Sequence, residues 1–264
     1  MSSSTPLIQY TLHLADDTLI LGHRNSEWTG HGPILEQDIA ISNIALDLIG
    51  QARNFYQYAA KLANEQSKNI YPPGLNGSVT EDSLAYLRDG WDFRNSLLVE
   101  QANGDWAKTI LRQFFCSAHQ VDLYEGLAAG SDKMLSAVGA KAYKEALYHL
   151  RWSSEWVIRL GDGTEESHAR MKKALEELWK FTGELYTPAS YELWATGAGI
   201  AADLSQLRPR WEERVKDVFD EAGLSHPAAG WMQTGGKEGR HTEQLGYILA
   251  EMQFLQRAYP GCEW

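Results

Sequence analysis

Apolar residues recur along most of the chain at a spacing of about three or four residues, and few stretches alternate apolar and polar positions. This periodicity predicts an all-α protein whose helices end near glycine, proline and short polar residues. A break is expected near Asn103-Gly104. The predicted helices cover residues 6–28, 33–64, 91–128, 132–160, 165–186, 206–222 and 240–258.

Residues 33–64 show the strongest amphipathic pattern. At about 100° per residue, apolar side chains fall on one face and polar side chains on the opposite face, as in a long helix packed on a core. The apolar face contains Ile34, Ile41, Ala45, Leu48, Ala52, Phe55, Ala59 and Ala63, and the polar face contains Glu36, Asn43, Asp47, Asn54 and Lys61. No carboxylate of this helix is therefore expected in the core.

Residues 65–82 are rich in turn-forming residues and separate the second predicted helix from the third. Such a length suits a chain that crosses a bundle rather than one that makes a tight turn. Four long helices with one long crossover are typical of the ferritin-like four-helix bundle. We therefore expect a single domain over residues 1–264, with the bundle at about 6–160 and a C-terminal helical extension at about 165–258.

Composition narrows the classes of function. The formal net charge of −11 gives no electrostatic reason to expect a nucleic acid or an anionic membrane surface as a partner. No apolar run approaches the roughly 18 residues of a membrane span, and the first residues lack the pattern of a signal peptide. The two cysteines, Cys116 and Cys262, form no Cys-x-x-Cys motif. A cytoplasmic location is expected.

A ferritin-like bundle raises the question of a di-metal centre. Such a centre takes a Glu from each of two helices and a Glu-x-x-His pair from each of the other two. The two such pairs in the sequence are Glu165 with His168 and Glu238 with His241. The first opens a predicted helix after a glycine-rich turn, and the second lies in a glycine-rich stretch. Neither is expected to hold a metal, because neither lies in the middle of a long helix.

His149 is more informative, because it lies in the middle of the apolar stripe of the helix predicted over 132–160. Three residues earlier, where a ligating Glu would stand, the chain has Ala146. The favoured interpretation of His149 is a core histidine that makes one or two hydrogen bonds.

Three isolated acids could in principle point into the bundle. They are Glu27 near the end of the first helix and Asp122 and Glu125 on the third. Isolated acids on amphipathic helices are more often solvated, so all three are expected at the rim. The alternative is a metal site with unorthodox ligands. That site would use Glu27, Glu125, His149 and His241.

Residues 234–240 form a glycine-rich stretch before the last predicted helix. Helix N-termini present free backbone N–H groups, so these amides together with Lys237 and Arg240 could bind an anion such as a phosphate. The alternative is a flexible connector. The ten tryptophans, Trp231 among them, are expected mostly in the core, and some could anchor a protein interface.

Three segments of the sequence resemble the C subunits of bacterial phenylacetyl-CoA oxygenases, the ring 1,2-epoxidases of phenylacetate degradation. They are residues 44–55 (IALDLIGQARNF), residues 144–151 (KEALYHLR) and residues 234–264 (TGGKEGRHTEQLGYILAEMQFLQRAYPGCEW). The resemblance extends from about Tyr10 to Trp264, and the C-terminal segment is long enough to be specific.

The resemblance implies a multicomponent monooxygenase. A related ferritin-like subunit would hold the di-iron centre and perform the epoxidation, and a reductase would supply electrons. The C subunit is then a non-catalytic structural partner without a cofactor of its own. The resemblance also places the two Glu-x-x-His pairs of the catalytic subunit on Leu48 with Gln51 and on Ala146 with His149. Three of these four positions depart from the metal-binding pattern, so Glu27 and His149 would be vestiges.

The leading hypothesis is therefore a helical subunit that binds and stabilises a di-iron catalytic subunit. The isolated chain could also form a homodimer. A self-sufficient di-iron oxygenase, or a metal-binding ferritin-like protein, is the alternative. A further hypothesis makes Lys237 and Arg240 the contacts for the phosphates of a coenzyme A substrate.

Overall fold

The computed structural model describes residues 4–65, 78–260 and 262, and within these residues all regular secondary structure is helical. The predicted all-α class is confirmed. Short 3-10 segments occur at Gly90–Asp92, Trp179–Tyr186 and Gly236–Glu238. The α-helices of the described residues are α1 Ser4–Ser26, α2 Leu35–Asn64, α3 Glu81–Tyr86, α4 Leu97–Glu100, α5 Trp106–Ala128, α6 Lys133–Gly161, α7 Glu165–Leu178, α8 Ser190–Gly197, α9 Leu204–Glu221, α10 Glu243–Met252 and α11 Phe254–Ala258.

The long amphipathic helices agree with the sequence pattern. The helices predicted over 6–28, 33–64 and 132–160 are confirmed as α1, α2 and α6, with ends that differ by one or two residues. The apolar face predicted for α2 is buried, apart from Ile34. Ile34 is exposed because α2 begins only at the next residue, so helical spacing does not apply to it.

The prediction of a helix over 91–128 is wrong in its first part. The chain there forms a 3-10 turn, an irregular segment over 93–96 and the single-turn helix α4, and α5 begins only after Asp105. The expected break is confirmed, because Gly104 has a φ of +60°. The carboxylate of Asp105 then accepts a hydrogen bond from the backbone N–H of Lys108 and caps α5.

Two other predicted helices are interrupted. The helix predicted over 165–186 changes after Leu178 from α7 into a 3-10 segment. The one predicted over 240–258 begins only at α10 and is divided at Gln253, which separates α10 from α11. The short helices α3 and α8 were not predicted. Residues 66–77, most of the predicted crossover, lie outside the described residues.

The core lies between two pairs of long helices. α1 packs along α2, α5 packs along α6, and α2 also contacts α6. Close packing of α6 on α5 depends on Gly139, where a Cβ would lie 2.9 Å from the backbone nitrogen of Ala128. α7 and α9 contact other faces of α5. Every residue from Thr109 to Tyr124 is consequently buried, as expected for a helix surrounded by others.

Two surfaces expose several large apolar side chains, and such patches commonly mark partner sites. The first, which we name the α2 face, consists of Ile34, Leu35, Ile39 and Leu46. The second consists of Trp91, Tyr247, Phe254 and Leu255. Within the described ranges, every helix is either too short or too polar to cross a bilayer.

Candidate functional site

Residues 47–51 of α2 and 145–149 of α6 lie side by side and contain the four positions that the resemblance assigns to metal ligands. Hydrogen bonds join the two stretches at both ends. Between these bonds, Leu48 and Ala146 are fully buried. Two of the four positions therefore offer only carbon atoms to the interior.

Gln51 occupies the third of these positions. Its amide oxygen accepts a hydrogen bond of 3.0 Å from the hydroxyl of Tyr124, and its amide nitrogen donates one of 2.9 Å to Glu145. Gln51 thus links α2 to both α5 and α6. Because each end of the amide has a protein partner, its arrangement is that of a structural residue.

His149 occupies the fourth position and is fully buried. Its Nε2 lies 3.0 Å from a carboxylate oxygen of Asp47, which is half exposed. A carboxylate can only accept, so Nε2–H donates, and Nδ1 is left buried without a hydrogen-bond partner among the described residues. The prediction of a hydrogen-bonded core histidine is confirmed. Asp47 is not simply on the polar side of α2, as predicted, because it turns toward α6.

The isolated acids are paired with basic side chains and do not converge on His149. Glu27 pairs with Arg24 at 2.9 Å and Glu125 with Arg210 at 2.9 Å. Both are at the rim, as predicted. Asp122 was predicted there too, but it is buried against α9, where Arg210 and Arg214 approach it to 2.9 and 3.0 Å. Its position reflects an inter-helix ion pair that α5 alone does not reveal.

The two Glu-x-x-His pairs are not brought together as ligand pairs. Glu165 is exposed at the start of α7, and Nδ1 of His168 lies 2.6 Å from the carbonyl oxygen of Gly161. Glu238 is exposed, whereas the side chain of His241 is largely buried. Nδ1 of His241 lies 2.8 Å from a carboxylate oxygen of Glu100. In each pair, Nδ1 of the histidine contacts an oxygen that does not belong to the Glu of the pair.

A second polar site lies where residues 93–97, the irregular segment and the first residue of α4, meet α1. Backbone N–H groups of this segment donate to acidic side chains instead of to helical carbonyls: Arg94 N to Asp16 at 2.8 Å and Ser96 N to Asp17 at 2.6 Å. Burial raises the pKa of Asp17 above its ordinary value, although the hydrogen bond from Ser96 opposes this shift. Asp16 also pairs with the fully buried Arg88.

The same site holds the glycine-rich segment 234–242. Glu184 accepts from Leu97 N at 2.7 Å and from Gly235 N at 2.6 Å, so it joins the two irregular segments. Burial raises the pKa of Glu184, and the two backbone donors offset part of that shift. Glu100 accepts from Thr242 N at 2.7 Å. Glu192, on α8, binds the ammonium of Lys237 from the same segment. We call Asp16, Asp17, Glu100, Glu184 and Glu192 the anchoring carboxylates.

Lys237 and Arg240, the predicted anion contacts, have different environments. The ammonium of Lys237 is buried and lies 3.0 and 3.1 Å from the two oxygens of Glu192. Arg240 is exposed and pairs with Glu238. A small cavity of about 170 Å³ is lined by both cations but also by Glu184 and Glu238. Lys237 therefore serves an internal ion pair, and carboxylates counter the attraction of an anion to this place.

The donor set does not fit a di-iron centre. Within residues 4–65, 78–260 and 262, no group of three or more His, Cys, Asp or Glu side chains is arranged to hold a metal ion. The remaining candidate pair, Asp47 with His149, supplies one carboxylate and one imidazole, whereas a ferritin-like di-metal centre takes about six ligands.

Sequence reasoning missed the anchoring carboxylates. Glu100 follows three apolar residues and was placed inside a predicted helix, and its partner Thr242 stands 142 positions away. Glu184 and Glu192 likewise bind groups on distant segments. The glycines at 235 and 239, which have φ of +137° and +85°, were the one local indication that this segment is held in a fixed shape.

The paired long helices define an all-helical protein. A family model described as "Phenylacetic acid catabolic protein" matches residues 1–264, and the chain belongs to this family. The C subunit of the 1,2-phenylacetyl-CoA epoxidase of Escherichia coli (strain K12) is 48% identical to it over 258 residues, which cover 98% of this chain and 99% of the relative. The resemblance carried by residues 44–55, 144–151 and 234–264 is thus confirmed.

Proposed function

We propose that the chain is a non-catalytic subunit of a multicomponent phenylacetyl-CoA epoxidase that binds and stabilises a separate di-iron catalytic subunit. The observation that carries this proposal is the burial of Leu48 and Ala146 at two of the four ligand positions. A hydrocarbon side chain cannot coordinate iron. The identity of 48% with a protein named as a subunit of the epoxidase supports a role as partner.

We further propose that α1, α2, α5 and α6 form a ferritin-like bundle that has kept its packing without its ligands. Support comes from the α1–α2 and α5–α6 pairs and from the hydrogen bonds that Gln51 makes to α5 and α6. Apolar residues in ligand positions stabilise such a bundle, because they remove the cost of burying carboxylates without a metal.

The α2 face is the surface that we assign to the catalytic subunit. Leu35 is 71% exposed and Leu46 is 67% exposed, although both belong to a long core helix. Covering such side chains on association removes apolar area from water and favours a stable complex. The free thiols Cys116 and Cys262 support a cytoplasmic location for this complex.

Metal analysis of the full chain, purified alone from iron-supplemented cells, tests the proposal. We expect almost no iron in this chain, and an iron-containing complex when the chain is co-expressed with the catalytic subunit. About two irons per chain, lost in His149→Ala, would support the self-sufficient di-iron oxygenase instead. The His149→Ala variant should fold, so its circular dichroism serves as the control.

Association can be tested separately on the α2 face. Leu46→Asp places a charge in the proposed interface and should weaken binding of the catalytic subunit at least roughly tenfold. Leu193→Asp is the matched control, because Leu193 is also a largely exposed leucine but lies on α8. Equal affinities of the two variants would show that the α2 face is not the contact.

A further inference from the structure

His241 lies where the glycine-rich segment 234–242 meets α4 and residues 91–97. Its side chain is largely buried and contributes to the wall of a surface cleft of about 420 Å³. The two segments approach closely there, because a Cβ added at Gly239 would clash with the carbonyl oxygen of Trp91. The hydrogen bonds of His241 therefore join two segments that have little room to adjust.

Both ring nitrogens of His241 face oxygen atoms that accept hydrogen bonds. Nδ1 lies 2.8 Å from a carboxylate oxygen of Glu100, and Nε2 lies 3.1 Å from the carbonyl oxygen of Phe93. Neither a carbonyl oxygen nor an ionised carboxylate has a proton to donate. A neutral imidazole carries one ring proton, so it satisfies one of these contacts and turns a lone pair toward the other. The doubly protonated imidazolium satisfies both.

Glu100 is surrounded by donors, which makes it the acceptor in its contact with His241. Thr242 donates to one carboxylate oxygen from its backbone N–H and from its hydroxyl, at 2.7 Å each. The side-chain amide of Asn95 donates to the other oxygen at 2.9 Å. Hydrogen bonds to a carboxylate favour its ionised form. The proton between Glu100 and His241 therefore belongs to the imidazole.

Charged groups face this contact from every neighbouring element. Arg94 also donates to the carbonyl oxygen of Phe93, at 2.9 Å, and Arg24 of α1 donates to the carbonyl oxygen of Glu100 at 2.9 Å. Within the described residues, Glu100 is the only carboxylate within 4 Å of a ring nitrogen of His241. The remaining charged groups near the cleft are Asp89 with its partner Arg257, Glu243, and the surface pair of Glu238 and Arg240.

We propose that the docking of segment 234–242 on residues 91–97 depends on a second ring proton held by His241, so that the segment loosens as the pH rises. In the undocked chain, water satisfies the imidazole in either charge state, so only the docked state needs this proton. The docked state consequently binds the proton more readily. The stability that the proton provides is present at low pH and is lost as the ring deprotonates. Histidines undergo this change between about pH 5 and pH 8.

The second exposed apolar surface depends on the same contact. Trp91 precedes Phe93 by two residues, and Tyr247 lies on α10, which begins directly after Thr242. Both aromatic side chains are largely exposed parts of that surface. Because His241 joins the two segments that carry them, loss of its proton loosens the position of Trp91 relative to Tyr247.

Hydrogen exchange of the full chain at pH 6 and pH 8, measured by mass spectrometry and corrected for the intrinsic effect of pH on exchange, tests the proposal. Protection of the peptides that cover residues 234–242 should fall roughly tenfold from pH 6 to pH 8, which is the effect of losing about one hydrogen bond to a charged group. Equal protection of these peptides at the two pH values overturns the proposal.

Matched variants assign the effect to His241. His241→Gln cannot donate to both acceptors, so segment 234–242 should be less protected at pH 6 and should lose its dependence on pH. Glu100→Gln places an amide that can donate beside Nδ1, so a neutral His241 satisfies both contacts and the dependence should also disappear. His168→Gln is the control, because within the described residues the His168 ring has one acceptor, the carbonyl oxygen of Gly161. This control should behave as the wild type does.

Nitrogen-15 chemical shifts of the imidazole rings give a second measurement, with the signals of His241 identified by their loss in His241→Gln. At pH 7 both ring nitrogens of His241 should carry protons, whereas a histidine without such contacts is mainly neutral at this pH. A neutral His241 ring at pH 7 overturns the proposal.

A pH dependence that persists in His241→Gln also overturns the proposal. It would assign the effect to another group, such as His13, whose Nδ1 lies 2.8 Å from the carbonyl oxygen of Arg94. None of these measurements needs the catalytic subunit, so their results are separable from the proposed function.

Discussion

The stretch shared by α2 and α6 and the site of the anchoring carboxylates are both buried, yet they are built in opposite ways. Between α2 and α6 the interior positions are filled largely by apolar side chains such as Leu48 and Ala146. At the anchoring carboxylates, by contrast, the interior holds charged groups, and Glu184 accepts hydrogen bonds from two backbone N–H groups.

The difference follows from the backbone. α2 and α6 are continuous helices, so their N–H and C=O groups are satisfied internally and their side chains are free to be apolar. The segments 93–97 and 234–242 are largely irregular, and their buried N–H groups need acceptors from elsewhere. The anchoring carboxylates therefore lie where irregular backbone is buried, whereas the carboxylates of a metal-binding bundle face the metal between its helices.

The largest effect is expected from Glu100→Ala. This change removes the carboxylate that accepts hydrogen bonds from Thr242 N and Thr242 Oγ1 and that pairs with His241 Nδ1, all of them partly buried. The free energy of unfolding should fall by about 3–5 kcal/mol. Urea denaturation measures this change. Glu238→Ala, which removes an exposed carboxylate of the same segment, should cost no more than about 0.5 kcal/mol; similar losses in both variants would contradict the anchoring role.

A smaller effect is expected from Leu48→Ala. The change opens a cavity between α2 and α6, and the free energy of unfolding should fall by about 2–4 kcal/mol. Leu46→Ala is the matched control, because Leu46 lies on the same helix but is exposed, so its cost should stay within about 0.5 kcal/mol. If Leu48→Ala were neutral, the ligand positions would not be part of a tightly packed core.

The effect that is smallest near neutral pH, and that grows as the pH falls, concerns His119 near the anchored segments. Burial, helped by the positive charges of Lys237 and His13, lowers the pKa of His119 from 6.5 to about 3. Between these values the unfolded chain binds the proton more readily, so stability is lost as the pH falls through this window. His119→Phe should remove that loss, about 1.4 kcal/mol per pH unit at most.

Thermal or urea unfolding of the wild type and of His119→Phe between pH 7 and pH 4 measures this difference. The two stability curves should run parallel above about pH 6.5 and diverge below it. Curves that stay parallel across the whole range would show that His119 is accessible to protons in the folded chain, contrary to its burial against the ring of Tyr186.

The elements with a long periodic pattern were predictable, and the contacts between elements were not. Spacing of apolar residues was enough for α2, whose stripe from Ile41 to Ala63 is buried. It failed over residues 93–105, where an apolar run looks helical but the backbone is held by Asp16, Asp17 and Glu184 from other elements. Helical periodicity indicates which face of one helix is buried. It does not indicate a hydrogen-bond acceptor that lies far away in the sequence.

The candidate site shows the same division. The apolar character of Leu48 and Ala146 follows directly from the helical faces and agrees with their burial. The contact of Asp47 with His149 spans 102 positions, and no local pattern indicates it. The pairing of Lys237 with Glu192 is also non-local, so the glycine-rich stretch alone does not indicate that this lysine has an internal partner.

The anchored segment 234–242 also has a consequence for the order in which the chain folds. Glu184 and Glu100 precede their partners Gly235 and Thr242 by 51 and 142 positions. During synthesis on the ribosome, α1 to α9 emerge before Gly235 and Thr242 are made. Until then Glu184 and Glu100 lack these hydrogen-bond donors and stay hydrated. Docking of segment 234–242 on these carboxylates is therefore a late step of folding. A nascent chain that stops at residue 233 would contain every long helix but would lack this segment.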